Sequence, residues 1–240
     1  MSQTGVLWPN ASWWSALEDG RVVSQQYAFD EPVIPVRLRV VDCGTLMLPH
    51  GRLIACDPFV SLKPTGNRYV SVPPGNYPVL VTIADVSGQD DRSEEVHAYM
   101  TVIIGDAVEV ERRMCQPLAD HEAPSSIPLE PGQIWGFGVD SATACFVDDG
   151  CIASGIPKTK DFPSHQVLEV WGESVNPAYP MGRGNVALPL STDGANIVLV
   201  TSGWGDGLYP VIGGYDEHGA IVRVHVDFGV ISDPDKDPRE

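Results

Sequence analysis

At 240 residues, 43% of them hydrophobic and 20% charged, the chain is long enough to bury a sizeable core and is too apolar to be a disordered tract. Its formal net charge of −17 argues against nucleic acid or an anionic membrane as a direct partner, because phosphate binding needs a positive field. The same charge permits a basic protein partner.

In chain order, Asn10 can cap a short helix over residues 11–19, with Gly20 as its stop. The nearby Trp8, Trp13 and Trp14 suit packing of that helix onto the body. From residue 33 onward the text is of strands. Residues 33–41 are apolar or alternating, and residues 52–56 run from the His50-Gly51 turn to Asp57-Pro58. Residues 77–84 follow the Pro73-Pro74-Gly75 turn. Residues 96–104 and 108–112 flank Gly105-Asp106 and read as a hairpin. Asp85, Asp90, Asp91, Glu94 and Glu95 form an acidic, solvated hairpin end around Gly88, with only Arg92 against them in the loop.

Residues 115–132, rich in proline, read as a long crossover, and residues 134–139 and 144–147 as strands. The segment 155–184 is irregular, with a short helix possible at 165–171. Residues 197–201, 209–213 and 220–230 close the sheet, the last hairpin turning at Gly219. The expected fold is therefore mostly β: one domain over residues 1–232, of antiparallel sheets packed as a sandwich or half-barrel, with one short N-terminal helix. Residues 233–240 form a frayed acidic tail.

Five cysteines, an odd number with no CxxC pair, suit free thiols in a reducing cytoplasm better than a disulfide framework. The N-terminus lacks the basic start and apolar core of a secretory signal, and no apolar run approaches a membrane span. A cytoplasmic protein is expected.

The block SGWGDGLYPV at residues 202–211 is the most informative stretch. Three glycines in five residues make a tight, shaped loop between two strands, with Trp204, Asp206 and Tyr209 placing aromatic rings beside a carboxylate. A dinucleotide reading fails, because Leu208-Tyr209-Pro210 cannot begin the helix that would receive a pyrophosphate, and Asp206 would repel it. No GxSxG is present, and His97 and His225 lie in strand text. Cys56 and Cys145 sit in apolar strands and read as small buried residues. Asp233, Asp235 and Asp237 imitate a calcium loop without its glycine or final glutamate, and Cys145, Cys151 and His165 have no zinc spacing. No metal site is expected, and no cofactor is called for by name. In a second block, GVDSATACFVD at 138–148, Asp140, Ser141 and Thr143 lie between two strands, where side chains satisfy turn backbone.

Four blocks together, GRLIACDP at 51–58, PPGNYPV at 73–79, GVDSATACFVD at 138–148 and SGWGDGLYPV at 202–211, with Asp227-Phe228 closing, resemble the bacterial domain-of-unknown-function 4241 family over about residues 45–230. The chain departs from the usual pattern at Ala142 and Ala144, where glycines are expected, and at Ile212-Gly213, where an aromatic pair is usual. The resemblance implies a fold and no activity.

Two functions fit this reading. The first is a non-catalytic binding module of the immunity or antitoxin type, whose acidic face neutralises a basic protein partner. The second is a small-molecule or hydrolytic site in which Asp140 and Asp206 supply general acid–base or metal chemistry, with Tyr209 and Trp204 framing the substrate. The candidate ligand-binding residues are Trp204, Asp206, Tyr209, Asp140, Thr143 and Asp57.

Overall fold

The computed structural model describes residues 11–28, 30–120, 134–156 and 182–231. The cap at Asn10, most of the 115–132 crossover, the helix at 165–171 and the tail 233–240 lie outside the described residues. Within them the chain forms a five-residue 3-10 helix (Ala11–Ser15), thirteen strands and one α-helix, all strand pairs being antiparallel. The strands are β1 (Val22–Gln25), β2 (Ile34–Leu48), β3 (Arg52–Cys56), β4 (Val70–Ser71), β5 (Gly75–Asp85), β6 (Glu95–Ile103) and β7 (Glu111–Met114). After them come β8 (Gly136–Val139), β9 (Thr143–Asp148), helix α1 (Asp149–Gly155), β10 (Arg183–Ala187), β11 (Asn196–Thr201), β12 (Gly207–Tyr215) and β13 (Ile221–Asp227).

Two sheets result. The larger runs β1-β2-β5-β6-β13-β12-β7 with β8 added on β12, and the smaller runs β10-β11-β9-β3-β4. One of the sheets curls into a half-barrel. The principal core fills the space between them, with Leu38, Leu46, Val81, Met100, Phe146, Val198 and Val226 all at 2% exposure or less. A second core lies on the other face of the small sheet, where α1 covers Ile54, Cys145, Val147, Ile197 and Leu199 with Ile152 and Ile156. The small sheet is thus buried on both faces, which is why residues 197–200 are an unbroken apolar run rather than an alternating one. Full burial of each such side chain contributes about 1.5–3 kcal/mol.

Strand β2 ties the two sheets together. A bulge between Asp42 and Thr45 bends it at Gly44, whose N–H donates to Asp42 Oδ1 at 2.7 Å. Beyond the bend it packs against β9, β10 and β11. Asn196 clamps it, accepting from Met47 N at 2.9 Å and donating to Thr45 O at 2.7 Å, while Asn185 donates to Cys43 O at 2.9 Å.

Three expectations are corrected. The short N-terminal helix is present but is a 3-10 turn ending at Ser15 rather than at residue 19, because Leu17 turns left-handed at φ 67°, and a short α-helix is added at Asp149–Gly155, capped by Asp148. β6 and β7 do not form a hairpin: β13 takes the edge of β6, and β7 pairs with β12. The backbone N–H groups of Ile104 and Gly105 go to Val222 O, leading the chain past β13. The acidic loop, finally, is the exposed end of the β5–β6 hairpin as expected, but Arg92 is not alone against its acids. Arg37 Nε binds both oxygens of Asp90 at 2.7 Å, and Arg39 and Arg92 both bind Glu95, whose side chain is only 4% exposed. Asp85 is buried and accepts the N–H groups of Ser87 and Arg92.

Candidate functional site

The blocks at 138–148 and 202–211 form two of the crossovers between the sheets. β8 pairs with β12 of the large sheet while β9 belongs to the small one, and β11 leads from the small sheet back to β12. The crossovers touch: Ser202 N donates to Ala142 O at 3.0 Å, and Ala142 N donates to Asp206 Oδ1 at 3.1 Å. Ala142, at a position where glycine is usual in the resemblance, holds φ 51°, a conformation that glycine adopts at no steric cost. Gly203 also has positive φ (48°), and a Cβ there would lie 2.8 Å from both Cβ and O of Phe228. The 202–207 loop is therefore pressed onto the end of β13.

Each candidate residue has a definite place in this corner. Asp57, fully buried at the end of β3, accepts five hydrogen bonds. They come from the N–H groups of Phe59, Val60, Asp140 and Ser141 and from Ser141 Oγ, at 2.8–3.1 Å. Thr143 is buried and donates to Ser141 O at 3.1 Å. Tyr209 points inward between Phe137 and Phe228, with its hydroxyl 2.7 Å from Gly205 O and 3.1 Å from Ser202 O. These three residues hold the loops and offer nothing to solvent. Asp140, Asp206 and Trp204 are the exposed ones. The Trp204 ring is 53% exposed and stands edge-on to Tyr27 at 5.5 Å, and Leu208 beside it is 63% exposed. Neither Asp140 nor Asp206 has an ion-pair partner among the described residues.

The sequence does not announce a buried polar chain in the large sheet. Thr101 Oγ1 lies 2.8 Å from His225 Nδ1, His225 Nε2 lies 3.0 Å from Glu109 Oε1, and Arg112 binds both Glu109 oxygens at 2.7 and 2.8 Å. Arg112 also donates to Trp13 O and lies over the Trp14 ring. The order hydroxyl, imidazole, carboxylate imitates a hydrolase relay, but Thr101 is at 0% exposure and His225 at 1%, so no substrate reaches them. Burial pushes the His225 imidazole down to about 4. The neutral ring donating from Nε2 to Glu109 and accepting at Nδ1 from Thr101 satisfies every group. Burial alone would raise Glu109, but hydrogen bonds from His225 and Arg112 outweigh it and hold the carboxyl at about 2.

His97 is similarly buried, pushed down to about 4, with Nδ1 2.9 Å from Thr201 Oγ1. Asp227 moves the other way. Burial raises it to about 7 against hydrogen bonds from Gly229 N and Trp13. Between pH 4 and 6.5 the unfolded chain binds two imidazole protons that the native state lacks, while native Asp227 keeps one that the unfolded chain, at 3.8, releases. The net difference is one proton, so stability should rise with pH by about 1.4 kcal/mol per unit across that window. Above pH 6.5 only Asp227 still titrates differently, and stability should fall through pH 7. Urea midpoints measured against pH are expected to peak near 6.5, and Asp227→Asn should abolish the fall above the peak. A peak below pH 5 would show that the native imidazoles are charged.

All five cysteines are buried free thiols. Burial pushes Cys43 up to about 12 and Cys115 to about 11, so neither offers a ready thiolate. Among the described residues, one set of His, Cys and carboxylate side chains could hold a metal ion: His50, Asp148 and Cys151. Sequence spacing passes over it, because His50 comes from a turn about a hundred residues upstream. No helix among the described residues is long and apolar enough to cross a membrane.

An antiparallel two-sheet β domain with paired crossovers at one corner is the class that this geometry defines. The chain belongs to the family described as Protein of unknown function (DUF4241), whose model matches residues 46–226. No curated protein and no solved structure matches it.

Proposed function

We propose that the chain is a bacterial, cytoplasmic, non-catalytic binding module of the immunity or antitoxin type, taking a basic protein partner on the crossover corner. The observation that carries this reading is Trp204. A large ring 53% exposed, on a loop whose backbone is tied by Tyr209, Ser202 and Asp206, is a preorganised anchor. Leu208 extends its apolar surface, and the exposed carboxylates of Asp140 and Asp206 supply the polar rim. The net charge of −17 supports a partner of opposite sign. Burial of His225 and Thr101 weighs against a catalytic role for the relay-like chain that they form with Glu109.

Binding kinetics against the product of the neighbouring gene, where that product is basic, test the proposal. Trp204→Ala is expected to speed dissociation by about 30-fold or more, the loss of a hot spot worth about 2 kcal/mol. Asp140→Lys with Asp206→Lys should mainly slow association and flatten its salt dependence. A complex indifferent to all three changes would remove the corner as the contact face. The small-molecule or hydrolytic reading of Asp140 and Asp206 is favoured by one observation, the contact between their loops. On that reading Asp140→Asn or Asp206→Asn abolishes turnover or ligand binding, and Trp204→Ala leaves partner binding unchanged.

A further inference from the structure

His50 occupies the turn between β2 and β3, while Asp148 caps α1 and Cys151 lies in its first turn. The ligating atoms of the three lie within 4.8 Å of one another. His50 Nδ1 is 3.3 Å from Asp148 Oδ1 and 3.7 Å from Cys151 Sγ. Tetrahedral zinc, with bonds of about 2.0–2.1 Å to nitrogen or oxygen and about 2.3 Å to sulfur, sets its ligand atoms roughly 3.3–3.6 Å apart. Both measured edges are close to that spacing.

The surroundings hold the three side chains in this arrangement. Asp148 is fully buried, and its carboxylate is oriented by two backbone donors, His50 N on Oδ2 and Gly150 N on Oδ1, each at 2.8 Å. Each oxygen keeps a lone pair, as an oriented metal ligand must. Gly150 supplies an independent sign. A Cβ at this helical position would lie 2.3 Å from His50 Cγ, so only glycine lets the imidazole lie over the helix start. Glycine within a helix costs about 1 kcal/mol relative to alanine, and a simple capping turn has no need of it here. A hydrogen-bonded cap accounts for Asp148 alone. It does not account for an imidazole that lies against both that carboxylate and the Cys151 thiol. The His50 side chain is 52% exposed, which leaves the cluster open to solvent on one side. Asp193 acts electrostatically on both His50 and Cys151 and adds negative charge there.

We propose that His50 Nδ1, an Asp148 oxygen and Cys151 Sγ bind one zinc(II) ion, with water as fourth ligand on the solvent-open side. The donor set selects the metal: thiolate and imidazole suit zinc and disfavour magnesium and calcium. Binding forms the zinc–sulfur bond as the thiol proton leaves to solvent, and the thiolate and Asp148 then balance the ion's two charges. The ion pins the β2–β3 turn to α1, segments 98 residues apart in the chain. This site is independent of the Trp204 corner, and either can fail alone.

The test uses the full chain, stripped with chelator and titrated with Zn²⁺, then with Co²⁺ as a spectroscopic probe. One zinc per chain, a thermal midpoint that rises with zinc concentration, and a near-ultraviolet thiolate-to-cobalt charge-transfer band are expected. His50→Gln, a change at an exposed side chain, should keep the fold and weaken zinc by about 100-fold. Gly150→Ala should also weaken zinc although it favours the helix, and Cys151→Ser should remove the cobalt band. Cys56→Ser is the control, because the Cys56 and Cys145 sulfurs, outside the proposed site, are 3.7 Å apart and could bind cobalt themselves. No zinc-dependent rise in the unaltered chain would overturn the proposal. So would undiminished zinc binding by a folded His50→Gln, or a cobalt band that survives Cys151→Ser and disappears with Cys56→Ser.

Discussion

Glu109→Ala should cost about 3–5 kcal/mol of stability, because it strands a buried guanidinium and removes the acceptor of a buried imidazole. The Arg112 and Glu109 side chains are 5% and 9% exposed, and His225 is 1% exposed. Among the described residues Arg112 would keep only its bond to Trp13 O and its contact with the Trp14 ring. Since that bond anchors the N-terminal 3-10 helix on the sheet, the loss should propagate to the docking of Trp13. Urea denaturation is the measurement. Glu109→Leu combined with Arg112→Met should be less destabilising than Glu109→Leu alone, because two apolar groups of similar size leave no buried charge unpaired. A loss under about 1 kcal/mol in Glu109→Ala would mean that water enters and solvates Arg112.

Asp57→Ala should be nearly as damaging, at about 3 kcal/mol or more, for a different reason. No charge is stranded, but four backbone N–H groups lose their acceptor, each costing about 1–3 kcal/mol before the loop relaxes. Two of those donors, Asp140 and Ser141, belong to the crossover that meets Asp206 through Ala142. Hydrogen exchange at Asp140 and Ser141 should therefore quicken well beyond the global loss of stability, and partner association at the corner should weaken with it. Asp57→Asn should fall between, since an amide keeps one accepting oxygen and presents donors to the rest. Unchanged exchange at both amides would show that the loop is held by Thr143, Ser202 and Tyr209 without Asp57.

Where the chain turns and which segments are strands could be read directly, because those signals are local. Alternation in residues 221–227 puts Val222, Val224 and Val226 inward, and the turns at Gly88 and Gly219 carry the positive φ that glycine permits. The SGWGDG loop was legible as a shaped turn for the same reason, and positive φ at Gly203 and Gly205 bears this out. Its role was less legible. Nothing in residues 202–211 shows that Tyr209 faces inward while Trp204 faces out, since that depends on Phe137 and Phe228 arriving from other strands.

The sequence by itself determined an acidic, mostly β chain of antiparallel sheets, the glycine corner and the family that its four blocks resemble. Tertiary structure alone decided that Arg37 and Arg39 of β2 pair with Asp90 and Glu95 of the acidic loop, that β13 rather than β7 pairs with β6, and that Glu109 meets His225. It also brought His50 to Asp148 and Cys151. Periodicity and turn chemistry act over a few residues, whereas these partners lie 53 to 128 positions apart in the chain. Their meeting depends on which strand edges pair and which faces are covered, a choice made by the burial energy of the two cores as a whole.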